Sequence, residues 1–145
     1  MSYPILLTLH LFGALMFVGT VFFEVLILEG VRKHLPTEVM HQVERAIGSR
    51  ARAMMPWVLL VLYSAGIGMA WQHRATLAHP FASSFGILLT LKILLAVSVF
   101  GHFVTAMVWL RRGQLRSNRS RFIHLSVFCH MVVIVLLAKG MFYLH

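Results

Sequence analysis

Four long apolar stretches, separated by short polar ones, set the plan of the chain. They run from Pro4 to Leu28, Met54 to Trp71, Phe85 to Leu110 and Phe122 to Leu144, and each is nearly free of charge. An apolar run of about 20 residues spans the ~30 Å hydrocarbon core of a bilayer as a helix, so the pattern predicts four transmembrane helices. In the first of them His10, Gly13, Phe17, Thr20 and Glu24 recur at spacings of three and four. They share one stripe, the side expected to face other helices. The first polar stretch has a period of its own. Thr37 is placed to cap a short helix over 37–50 in which Val39, Val43 and Ile47 recur four apart, which predicts an amphipathic segment lying in the membrane interface. Pro4, acceptable in a first turn, reads as the start of the first span, and Met54-Met55-Pro56-Trp57 as the junction near which the second starts. No low-complexity segment and no internal repeat is read. The expected fold is an all-α integral membrane protein, a four-transmembrane-helix up-down bundle forming one domain over residues 1–145.

Composition agrees: 59% of the residues are hydrophobic and 12% charged, with a mean hydropathy of +0.83, too apolar for a soluble domain of this length. The net charge of +9 would suit a nucleic-acid partner, but its distribution argues against one. Arg32, Lys33, Arg45, Arg50 and Arg52 lie between the first two spans, and Arg111, Arg112, Arg116, Arg119 and Arg121 between the last two, while the middle loop holds only Arg74. By the positive-inside rule the two basic loops are cytoplasmic, with both termini on the outer, periplasmic side of a bacterial-type inner membrane. Cys129 is the only cysteine, which excludes an intramolecular disulfide and a covalent Cys-x-x-Cys-His haem site. The first apolar run lacks a basic leader and exceeds a signal sequence in length, so it reads as a retained helix.

The chemistry lies in the polar residues placed inside apolar spans, where their cost makes them functional candidates. These are His10, Lys92, His102 and His130, with Glu24 and Lys139 nearer helix ends. Counting ~1.5 Å per residue from the ends of the apolar windows puts His102 and His130 at one level, and His10 and Lys92 at another. Two imidazoles at one depth can supply the axial nitrogens of a b-type haem. Gly13, Gly19, Gly66 and Gly101 would make room for the macrocycle, and its propionates would meet Arg50, Arg52, Arg111 or Arg121 near the cytoplasmic face, or Arg74 or His73 near the outer one. The layer of His10 and Lys92 would hold a second haem, anchor propionates or bind a quinone. The plainer reading is that each histidine bonds between helices. Glu24 would pair with a loop arginine or carry protons, and Lys139 would extend its ammonium to the surface.

These residues also carry a resemblance. Leu9-His10-Leu11 in the first helix, a basic juxtamembrane segment, and a third helix with Leu91-Lys92-Ile93-Leu94-Leu95 and then Gly101-His102 resemble the HemJ-type protoporphyrinogen oxidase family and the related CopD-like copper-resistance membrane domains. The resemblance implies an oligomeric inner-membrane protein with haem b, in which His10, Lys92 and His102 serve cofactor binding or oxidation. Three functions follow as expectations. The first is a cytochrome b-like protein with one haem or two, passing electrons from a substrate such as a porphyrinogen to a quinone or redox partner. The second is a copper-handling permease or accessory protein with His10, His102, His130, Met16, Met107 and Met131 as ligands. The third is a structural or assembly subunit.

Overall fold

The computed structural model describes residues 2–114 and 117–143, without the side chain of Ser117. Arg116 of the third loop, Leu144 at the end of the fourth expected span and His145 after it lie outside the described residues. All regular structure among the described residues is helical. Four helices are long and apolar enough to cross a membrane: α1 (Tyr3–Val31), α2 (Thr37–Gln72), α3 (Ser84–Arg111) and α4 (Ser117–Gly140). Leu15, Leu60, Leu94 and Leu136, one on each of them, are exposed. Apolar residues facing outward as well as inward mark helices that bury a second face in lipid. The chain is a multi-pass membrane protein. It divides into two compact units, 1–72 and 73–145.

The first unit is an antiparallel hairpin of α1 and α2, in which Leu6 meets Gly68 and Gly13 meets Leu62. The buried stripe on α1 is Leu6, Gly13, Phe17 and Val21, so the expected stripe holds through Phe17. Beyond it Val21 turns inward, while Thr20 bonds back to the Met16 carbonyl at 2.8 Å. Over Phe23–Leu28 the helix widens into a π-helical segment, closed by a bond from the Glu29 N–H to the Glu24 carbonyl. The wider turn changes the phase of the helix, and none of those six residues is buried. At the hairpin's polar end the Arg32 guanidinium bonds Glu29 (Nε to Oε2, 3.1 Å) and also Glu44 of α2. His41 Nδ1 lies 3.6 Å from the other oxygen of Glu44. These charges tie the turn to the start of α2.

The separate interfacial helix expected over 37–50 does not form. It and the second span are one helix of 36 residues, Thr37–Gln72. At 1.5 Å per residue this is ~54 Å, well beyond the hydrocarbon thickness, so one end extends out of the membrane. Pro56 lies inside the helix rather than at its start; it removes one backbone bond without ending the helix. Thr37 is the first helical residue and not its cap, since the Met40 N–H bonds the Pro36 carbonyl at 3.0 Å.

The second unit opens with short turns, Arg74–Ala78 and a 3₁₀ segment Pro80–Ala82, that lead into α3. Ser83 caps α3, its Oγ accepting the Gly86 N–H at 3.1 Å. The preceding turn lies so close to the helix that a β-carbon on Gly86 would come within 2.6 Å of the Pro80 carbonyl oxygen. Only glycine fits there. α4 begins at Ser117, five residues before the expected Phe122. Arg119 belongs to its first turns, with its guanidinium 5.1 Å from the Trp109 ring centroid.

Gly86→Ala should therefore lower unfolding stability in detergent by about 1–3 kcal/mol, the range for overpacking against atoms that cannot retreat. Gly101→Ala, at a helical position with nothing within 4 Å of the added carbon, should raise it by roughly 0.5–1 kcal/mol through helix propensity. Thermal melts of the two variants beside the parent read both effects.

Candidate functional site

On α1, His10 reaches across to α2. Its Nδ1 is 3.0 Å from the Leu62 carbonyl oxygen. A carbonyl can only accept, so Nδ1 carries the hydrogen and Nε2 is the basic nitrogen of the neutral ring. The ring is pressed against α2 at Gly66, where a β-carbon would stand 3.2 Å from both Cε1 and Nδ1. Gly13 lets the helices close one turn further along, since its missing β-carbon would be 3.1 Å from Leu62 Cβ and 3.2 Å from Leu62 Cα. Gly13 and Gly66 thus admit Leu62 and His10, and the space between α1 and α2 that the two glycines open is filled by those residues rather than left for a macrocycle. Gly19 and Gly101 have nothing within 4 Å.

Arg50 and Arg52 are exposed residues of α2 in the same unit. Arg52 curls back along its own helix, its Nη1 3.0 Å from where a Gly48 β-carbon would be. It precedes Leu62, the partner of His10, by ten positions, ~15 Å along the helix axis. Neither arginine sits at the level of the histidine.

Lys92, His102 and His130 belong to the second unit. Lys92 is half-buried on α3, eight residues after Ser84. Among the described residues it forms no ion pair or hydrogen bond. The two histidines are neighbours, with ring centroids 5.3 Å apart and planes inclined at 58°. Each ring is bonded at both nitrogens. His102 Nδ1–H donates to the Ser98 carbonyl (2.8 Å) and His130 Nδ1–H to the Ser126 carbonyl (2.8 Å), each one turn back on its own helix. Ser126 Oγ donates across to His102 Nε2 (3.0 Å), and Ser98 Oγ to His130 Nε2 (3.1 Å). His102 therefore faces Ser126 and His130 faces Ser98. The imidazoles are four residues, ~6 Å, apart along the helix axis, and not on one level.

This geometry corrects the expected axial pair. A spacing of 5.3 Å is that of rings in direct contact, and a porphyrin between them would have to separate the rings and displace both serine hydroxyls from Nε2. In this packing His102 and His130 do not fit as opposite ligands of one haem. Ser98 and Ser126, half of the network, have no role assigned by depth or spacing alone. Their signal in the sequence is a short repeat, Ser-Val-Phe-Gly-His at 98–102 and Ser-Val-Phe-Cys-His at 126–130.

For copper, the described residues contain no group of three or more His, Cys, Asp or Glu side chains placed to hold a metal ion. Met131 is buried while Met16 is exposed, on different units. Lys139 lies near the end of α4 with its Nζ 5.1 Å from the Tyr143 ring centroid. Comparison with protein-family models, curated proteins and solved structures gives no match.

The close approach at Gly13 sets the His10 contact. Gly13→Val should push α1 off Leu62, whose backbone cannot yield, lengthening the His10 bond and lowering stability by about 1–3 kcal/mol. A ¹⁵N spectrum of His10 should show a loss of the single fixed tautomer, with a matching fall in the melting midpoint.

Proposed function

We propose that the chain is a b-type haem protein of the bacterial inner membrane, working in electron transfer, with His10 as the protein ligand to the iron. The observation that carries this reading is that the bond from His10 Nδ1–H goes across to the Leu62 carbonyl of a neighbouring helix, whereas those of His102 and His130 stay on their own helices and their Nε2 atoms take serine hydroxyls. Histidines that ligate metals through Nε2 hold their other nitrogen in such a bond, which fixes both tautomer and ring direction. Contact with Gly66 further restricts the ring. When bound, haem would supply one-electron chemistry; the chain's part is to fix the ligand and exclude water. In the second hairpin Lys92 presents an ammonium without an acidic partner among the described residues, and an anionic group of a cofactor or substrate, such as a carboxylate, would bind there. The resemblance to the HemJ-type oxidases makes a porphyrinogen the substrate of choice, with a quinone or partner as acceptor. The basic ends of the helix pairs support cytoplasmic loops at Arg32 and Arg111.

A second reading, a structural membrane subunit, has its own support: all three deep histidines make hydrogen bonds within or between helices. One measurement separates the readings. The protein, purified in detergent from cells supplied with haem, should give α and Soret bands in a reduced-minus-oxidised spectrum. His10→Ala should reduce those bands at least tenfold, and His102→Ala and His130→Ala should leave them. A colourless parent protein rules out the haem reading. Copper found by metal analysis in that preparation moves the assignment to metal handling, and neither metal leaves the structural role.

A further inference from the structure

Residues 98–102 of α3 and 126–130 of α4 differ at one position only, Gly101 against Cys129. Both differing residues are exposed, whereas Val99 and Val127, the second residue of each segment, are 1% and 5% exposed and form the packed centre. The helices run antiparallel, so the two copies are related by a local twofold axis crossing the hairpin. Under that relation any bond from the first copy to the second is matched by one from the second to the first. The distances show it: 3.1 and 3.0 Å for the two hydroxyl-to-imidazole bonds, 2.8 and 2.8 Å for the two imidazole-to-carbonyl bonds.

We infer that this inverted repeat is a self-complementary clamp that fixes the register of α3 on α4, a role distinct from ligating haem. The argument is one of what else could hold the register. Around the motif the helices are rows of Val, Leu, Ile and Phe, and such rows pack comparably well after a slip of one turn. The clamp does not. Moving α4 by four residues sets Ser98 opposite Ser126 in one direction and His102 opposite His130 in the other; with both Nδ1–H groups already on carbonyls, either slip leaves the two Nε2 atoms without a donor where no water can replace the lost bond. Only one register satisfies all four bonds. The ring is also closed: the carbonyl and hydroxyl of each serine serve different histidines, so losing one hydroxyl costs one cross-helix bond and leaves its twofold mate intact.

The inference concerns the second hairpin alone and does not rest on haem at His10, so either can fail without the other. Its test is a set of alanine variants at Ser98, His102, Ser126 and His130, unfolded thermally in detergent. Ser98→Ala and Ser126→Ala should lower the midpoint by equal amounts. The pair Ser98→Ala with His130→Ala should lower it no further than the larger single change, while Ser98→Ala with Ser126→Ala should sum. A second measurement needs no unfolding: nitroxide labels on the native Cys129 and on Gly101→Cys report the hairpin register as an interlabel distance. A single narrow distance is expected with both serines present, and a broadened or two-peaked distribution in Ser98→Ala/Ser126→Ala. Fully additive midpoints across every pair, or an unchanged distance distribution in the double serine variant, would overturn the clamp.

Discussion

Within a bilayer a polar group must find its partner in the protein, because there is no water to serve instead. That constraint sorts the polar side chains of this chain into two kinds. The threonines satisfy themselves locally: Thr8, Thr20, Thr90 and Thr105 each donate to the carbonyl four residues earlier, all at 2.8 Å. Such bonds ask nothing of a neighbouring helix. The histidines are longer, carry two nitrogens and cannot close both on one helix turn. His10 reaches α2, and His102 and His130 reach each other's helices through serine. The imidazoles are therefore where sequence dictates tertiary contact in this protein.

The two hairpins meet that constraint differently. In the first, glycine removes side chains so that backbones approach: Leu62 packs at Gly13, His10 at Gly66 and Leu6 at Gly68. The polar contact is then short because the helices are close, and it uses a backbone carbonyl that is present in any sequence. Position along α2 is set by which residue is small. In the second hairpin the buried centre is Val99 and Val127, and the glycine in the motif, Gly101, faces open space. Here the polar contact runs from side chain to side chain, so its geometry is written in four residue identities. Dispersion between small residues is tolerant of sliding, whereas paired hydrogen bonds in an apolar medium are not.

What could be read from the chain, and what could not, follows from how the apolar window relates to the helix. The four spans were legible because hydrophobic length reports directly on bilayer thickness. Their ends were not, because helices continue into water. Arg119 and Arg121 marked a boundary by charge, but arginine is a good helix former, and α4 runs back to Ser117. The same holds at the start of α2, where charged residues from Glu38 to Arg52 and an internal proline lie within a single helix. Depths counted from window edges inherit the error. Counted from helix ends, His102 lies nine residues before Arg111 and His130 thirteen after Ser117. The difference is four residues, the one turn by which the rings are offset. His10, His102 and His130 stand out in the sequence as polar residues inside apolar spans, while Ser98 and Ser126, the partners of the last two, are common in any helix and gain a register only through the repeat.

The bond shared by all three histidines, Nδ1–H to a backbone carbonyl, is therefore not what distinguishes a ligand from a clamp. It fixes the tautomer in either case and makes Nε2 the acceptor. What differs is the group offered to Nε2. In the second hairpin it is a hydroxyl placed by a repeated serine, which matches the nitrogen with one proton and no charge, and a flat cofactor could enter only by breaking two such bonds and parting two touching rings. A metal at either of these nitrogens would have to outbid a partner that the sequence has supplied twice. The first hairpin has no second copy of its motif, and its ring is held by backbone and by the absence of a side chain at Gly66. His10 is held across the hairpin by the Leu62 carbonyl, so its position depends on how closely α1 and α2 approach and not on a repeated pair of side chains.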